Sequence, residues 1–75
     1  MTETIKQVMA EIFDVPVDTI TDDSSVETIG SWDSLRHMQL ILALEDELDI
    51  EFPDDAIPNL VSFAVIATTV EKIRF

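Results

Sequence analysis

Seventy-five residues carry 16 acidic side chains against 4 basic ones, a formal charge of −12, and contain no cysteine. A chain this short builds one core and buries only about 60% of the surface its unfolded form exposes, which leaves no walls for a deep substrate cleft. The charge repels nucleic acid and anionic membrane faces and steers the chain toward basic protein surfaces, while the missing cysteine removes disulfides, thiolate nucleophiles and thiolate metal ligands.

The remaining composition is that of a folded protein, 47% apolar. Met1-Thr2-Glu3 lacks the basic and apolar regions of a signal peptide, and the apolar run from Leu40 to Leu44 falls far short of the roughly 20 residues a membrane helix needs. The expectation is a soluble, cytoplasmic, monomeric protein in which residues 1–75 form a single domain.

The first element reads as a helix over 3–14, with Ile5, Val8, Met9, Ile12 and Phe13 at helical spacing, Thr2 as its cap and Val15-Pro16 as its end. Residues 15–32 lack a regular pattern. A connection this long is usually functional or tied down, and Val15, Val17, Ile20, Val26 and Ile29 are spaced to anchor it, with a helical turn over Val17–Thr21. Gly30, the only glycine, suits a positive-φ position before the next helix.

Residues 34–49 form the strongest helix, with Asp33 as N-cap. Leu40, Ile41, Leu44 and Leu48, with His37 at the upper end, make one apolar face. Leu35, Met38 and Leu42 make a second row, which is either the edge of a wide core stripe or an exposed contact surface for a partner. Glu45, Asp46, Glu47 and Asp49 crowd the end of this helix, followed by Glu51, Asp54 and Asp55. Acids there oppose the helix dipole at ~0.3–1 kcal/mol each, so stability alone does not explain them. They read as a recognition surface for basic partners. Pro53-Asp54-Asp55-Ala56 starts a short helix that Pro58 limits to about one turn. Ser62 caps a last helix over 63–74, whose core face is Phe63, Ile66, Ala67, Val70 and Ile73. The fold class is all-α: a small bundle of three main helices plus one short helix, with a long loop between the first and second.

The catalytic inventory is thin. His37 is the only histidine, so no paired-His metal site can form, and the acids lack the alternating ligands, central glycine and closing Glu of an EF-hand. Only weak, diffuse divalent-cation binding is open to them. A Ser34–His37 pair is three residues apart on one helix, but no oxyanion hole accompanies it. No catalytic residue and no metal ligand is expected. What remains is a serine in the first turn of a helix, where an attached anion is favoured.

Asp33-Ser34-Leu35, followed by Leu40, Ile41, Ala43, Leu44 and Glu45 and then by Phe52-Pro53-Asp54, resembles the acyl carrier proteins, the phosphopantetheine-binding carriers of fatty-acid, polyketide and nonribosomal-peptide pathways. The resemblance runs from the first helix to Ile73. It implies that Ser34, flanked by Asp33 and Leu35, carries a covalent 4′-phosphopantetheine taken from coenzyme A by a phosphopantetheinyl transferase. The thiol of the arm then holds an acyl, aminoacyl or related cargo as a thioester. It also makes the second helix the recognition helix, through Leu35, Met38, Leu42, Glu45, Asp46, Glu47 and Asp49. The partners implied are the transferase, a loading enzyme, and downstream synthases or transferases with basic docking surfaces.

Two departures narrow the resemblance. Ile29-Gly30-Ser31-Trp32-Asp33-Ser34 has one residue more between Gly30 and Asp33 than the fatty-acid carriers usually show. Arg36 and His37 stand where an acid is usual, which discourages partners that place a basic residue there. The Trp32-Asp33-Ser34-Leu35-Arg36-His37 form resembles discrete carriers of specialised pathways more than the fatty-acid carrier. Trp32 either stacks against the arm or anchors the loop. The alternative of a different class is an unmodified acidic helical adaptor or inhibitor that binds a basic enzyme surface.

Overall fold

Three helices carry the fold in the computed structural model, which describes residues 2–74. The first, α1 (Thr2–Phe13), buries Ile5, Met9 and Phe13, whose four-residue spacing puts one stripe on the core. It lies one residue earlier at each end than the expected 3–14, so Thr2 is inside the helix and does not cap it. Asp14 takes a left-handed backbone (φ 56°), and the Val15 N–H reaches back to the Ala10 carbonyl at 3.1 Å, a Schellman ending.

The second helix, α2 (Ser34–Leu48), starts at the expected cap: Asp33 is extended and its carboxylate accepts from the Arg36 N–H at 2.8 Å. Leu40, Ile41, Leu44 and Leu48 are buried. Its ending repeats that of α1, with Asp49 left-handed (φ 54°) and the Ile50 N–H on the Glu45 carbonyl at 3.1 Å. The third, α3 (Phe63–Arg74), has the expected bounds. Ser62 Oγ accepts from the Val65 N–H at 3.2 Å, Phe63, Ile66 and Val70 are buried, and Ala67 and Ile73 pack partly against them. Among the described residues there is no strand, and Ser25 and Ser62 form an isolated antiparallel bridge.

The connection 14–33 is ordered, but only partly by the anchors expected of it. Ile20 and Ile29 are buried and Val15 is half-buried, whereas Val17 and Val26 are exposed. Polar ties replace them. The Phe63 N–H donates to the Ser24 carbonyl at 2.9 Å, which satisfies one of the orphan donors at the start of α3, and the Val26 N–H donates to the Val61 carbonyl at 3.0 Å. Ser24 is buried, its hydroxyl accepting from the Thr21 N–H at 2.8 Å. The helical turn is a 3-10 helix over Val17–Thr19.

Gly30 corrects a second expectation. Its φ is not positive, and a Cβ added there would meet nothing within 4 Å. The positive-φ positions are Asp14 and Asp49 instead. Both end helices, and aspartate tolerates that conformation better than most side chains do.

In the connection 49–62, Pro58 starts a helix and does not stop one. A turn over 54–56 leads into a 3-10 helix, Ile57–Asn59, with Pro58 in its first turn, where the missing N–H has no intrahelical partner to lose. Phe52 and Leu60, both buried, root this segment in the core.

Candidate functional site

Side-chain hydrogen bonds brace the start of α2 from several directions. Asp33 alone makes the side-chain cap, its main-chain carbonyl also accepts from the His37 N–H at 2.8 Å, and Ser34 stands exposed between them. Upstream, the Ser31 hydroxyl donates to the Phe13 carbonyl at 2.8 Å, and the Arg36 guanidinium donates to the Ile12 carbonyl. These two contacts satisfy carbonyls at the end of α1 and place a cation at the negative end of its dipole. Arg36 is therefore committed to α1, and its charge is not presented beside Ser34 in the way the sequence suggested. Leu35, adjacent to Ser34, is 69% exposed.

Trp32 is an anchor. It is buried, with its ring 4.8 Å from that of Phe13, and its Nε1–H donates to His37 Nδ1 at 3.0 Å. The other ring nitrogen of His37 lies 2.9 Å from the Ile57 carbonyl. With the Nδ1 lone pair on the indole and Nε2 on a carbonyl, the ring holds no free base for a Ser34 hydroxyl. Sequence reasoning placed His37 at the upper end of the apolar face and missed this bridge. Its only trace in the sequence is the five-residue spacing of Trp32 and His37, which brings a residue before the cap over the first turn.

The second apolar row of α2 is exposed, so it does not belong to the core: Leu35, Met38 and Leu42 keep 69%, 46% and 62% of their surface. Helical spacing continues that row into Asp46, and Asp49 follows just past the helix end; both are exposed. The other two acids diverge from it. Glu45 is half-buried, with its carboxylate accepting from the Phe52 N–H at 2.9 Å, and Glu47 lines a shallow groove with Thr4, Gln7 and Glu11 on the α1 side. Among the described residues no three His, Asp or Glu side chains converge to hold a metal ion, and no helix is long and apolar enough to cross a membrane.

Three of the four basic groups are used on the protein itself. Besides Arg36, Arg74 donates to the Leu48 carbonyl at 3.0 Å and Lys6 sits 5.2 Å from the Phe63 ring centroid. Arg74 thus supplies a cation to the end of α2, where the acids crowd. The acids are left to set the sign of the outer surface.

Comparisons with known proteins agree with this geometry. Residues 3–70 match the family described as "Phosphopantetheine attachment site". An acyl carrier protein of Sulfurovum sp. (strain NBC37-1) is 39% identical over 72 residues, covering 95% of this chain and 87% of that protein. An aminoacyl carrier protein of Agrobacterium fabrum is 36% identical over 76 residues, covering 99% of this chain and 89% of that one. The solution structure of a holo acyl carrier protein from Geobacter metallireducens superposes with a TM-score of 0.85 at 29% identity, covering 97% of this chain and 84% of that one. The chain therefore belongs to the acyl carrier protein family, whose members carry covalently attached phosphopantetheine.

Proposed function

We propose that Ser34 is the attachment serine, and that residues 1–75 are one carrier domain serving a specialised pathway of the polyketide, nonribosomal-peptide or related kind. The observation that carries this reading is the division of labour at the start of α2: Asp33 caps the helix, and Ser34 is left exposed in its first turn. A phosphodiester formed there lies by the positive end of the helix dipole, where backbone N–H groups favour an anion. Asp33 fixes the turn, and Leu35 gives the transferase an apolar contact beside the hydroxyl. The group, when bound, supplies a flexible arm ending in a thiol that holds the cargo as a thioester. No catalytic base is needed from this chain, because the transferase brings its own.

The partner face is the row Leu35, Met38, Leu42, Asp46 and Asp49. It offers an apolar upper half and an acidic lower half to a loading enzyme and to downstream synthases or transferases with basic docking surfaces. Contacts of this kind are steered and reversible, as a carrier visiting several cytoplasmic enzymes requires. Glu45 is turned to the Phe52 N–H and Glu47 lies on the α1 side, so both contribute through the general field.

The test is incubation of the apo chain with coenzyme A and a promiscuous phosphopantetheinyl transferase, read by intact mass. The wild type is expected to gain one phosphopantetheine and Ser34→Ala none, while Ser31→Ala keeps the gain. An unmodified wild type beside a modified control carrier would favour the adaptor reading.

A further inference from the structure

We propose that His37 is a positioning residue, whose two ring nitrogens hold the loop that delivers Ser34 and the turn at Ile57 in one fixed relation. The inference rests on Ser34 being the attachment site. The chemistry of the two neighbours decides the state of the ring. An indole N–H can only donate and a carbonyl can only accept. Trp32 Nε1 at 3.0 Å therefore requires a bare Nδ1, and the Ile57 carbonyl at 2.9 Å requires a proton on Nε2. Of the two neutral tautomers and the cation, only the neutral Nε2–H form makes both bonds.

Each end of this bridge is tied to something else. Trp32 precedes the cap residue and packs on Phe13, so its indole fixes how the loop enters α2. The main-chain bond from His37 N–H to the Asp33 carbonyl and the side-chain bond from Trp32 to His37 thus frame Ser34 from both sides. At the far end, Ile57 begins the 3-10 helix and, with Met38, Leu42 and Pro53, lines a groove of about 470 Å³ along α2. One side chain therefore aligns the attachment turn with the groove wall that faces Met38 and Leu42. A change of tautomer or the loss of the ring frees the indole N–H and uncouples the turn at Ser34 from Ile57, leaving the helix cap and the ties of Ser31 and Arg36 to α1.

The chain has one tryptophan and one histidine, so their signals are unambiguous. In the ¹⁵N spectrum of the unmodified protein the imidazole is expected to show an unprotonated Nδ1 and a protonated Nε2, with an indole N–H that exchanges slowly. The reverse tautomer, or rapid averaging of the two, would overturn the proposal. Loading kinetics supply the second arm. His37→Phe and Trp32→Phe are each expected to lower kcat for phosphopantetheine transfer about fivefold with KM little changed. The double variant should lose no more than either single one, because both break the same link. Losses that multiply, or single variants that load at the wild-type rate, would overturn it. A wild-type chain that takes no phosphopantetheine sinks the attachment reading instead, and the ring spectrum still decides the bridge.

Discussion

The two long connections of this chain solve the same problem in different ways. Residues 14–33 are held mainly by backbone and hydroxyl bonds distributed along their length: Thr19 on Pro16, Ser24 with Thr21, Thr28 with Ser25, and the ties from Ser24 and Val26 to the start of α3. Residues 49–62 lean on two side chains of α2, with His37 on the Ile57 carbonyl and Glu45 on the Phe52 N–H, and on the buried Phe52 and Leu60. Ordering a loop costs on the order of 1–2 kcal/mol per residue. Many weak local bonds meet that cost in the first connection, and a few concentrated contacts meet it in the second. The consequence is an asymmetry in robustness. The bonds over 16–28 share their load, so that stretch tolerates the loss of any one of them, whereas the second connection depends on His37 and Glu45 of the helix that carries the proposed site.

Truncating the root of the second connection sharpens the contrast most. Phe52 is buried to within 2%, and Phe52→Ala is expected to cost ~3–5 kcal/mol in urea unfolding through lost burial and the cavity left behind. The same truncation at an exposed apolar site of the first connection, Val26→Ala, is expected to stay within ~0.5 kcal/mol. If the two costs come out alike, Val26 helps hold the first connection despite its exposure.

The polar clasp gives a smaller effect. Glu45→Ala leaves the Phe52 N–H without its acceptor, a loss of ~1–3 kcal/mol, against which removing a negative charge from the end of α2 returns ~0.3–1 kcal/mol. Glu45→Gln keeps an acceptor and removes the same charge, so it is expected to match or slightly exceed the wild type. Native-state hydrogen exchange at the Phe52 N–H should quicken in the alanine variant alone, with the α3 Phe63 N–H, which bonds to Ser24 of the first connection, unchanged. Equal stability of the alanine and glutamine variants would remove Glu45 from the account of this segment.

What could be read in the sequence follows the same division. The helices were legible because apolar spacing reports a buried face directly: Ile5, Met9 and Phe13 in α1, and Phe63, Ile66 and Val70 in α3, fall where the 3.6-residue period puts them. Ser34 stood out because its neighbours Asp33 and Leu35 mark a helix start. The connections were less legible, since their holding groups are main-chain carbonyls and N–H groups that leave no residue-type signature. Ser24 was unremarkable as one hydroxyl among several, and the length of Arg36 let it reach α1 without any pattern to announce it. Glu45 was one acid among many, and only the position of the Phe52 N–H separates it from Asp46. Pro58 misled because a proline ends one helix and begins another with equal ease.

The smallest effect tests the reading of glycine. A lone Gly before a helix suggests a left-handed backbone, yet Gly30 has none, and the space around its missing Cβ is open. Gly30→Ala should therefore stabilise the protein by ~0.4–1 kcal/mol, because alanine reduces the freedom of the unfolded chain without straining the folded one. The reverse substitution belongs at the ends of α1 and α2, where Asp14 and Asp49 carry the positive φ values. Glycine relieves that conformation at both sites but loosens the unfolded chain, so the net gain there is only a few tenths of a kcal/mol. Asp49→Gly should gain more than Asp14→Gly, since it also removes a charge from the crowded acidic end of α2. Thermal melts of the three variants in one buffer decide the matter. A Gly30→Ala protein that melts below the wild type would mean that residue 30 needs a freedom only glycine has, and that the first connection is less evenly held than its bonds indicate.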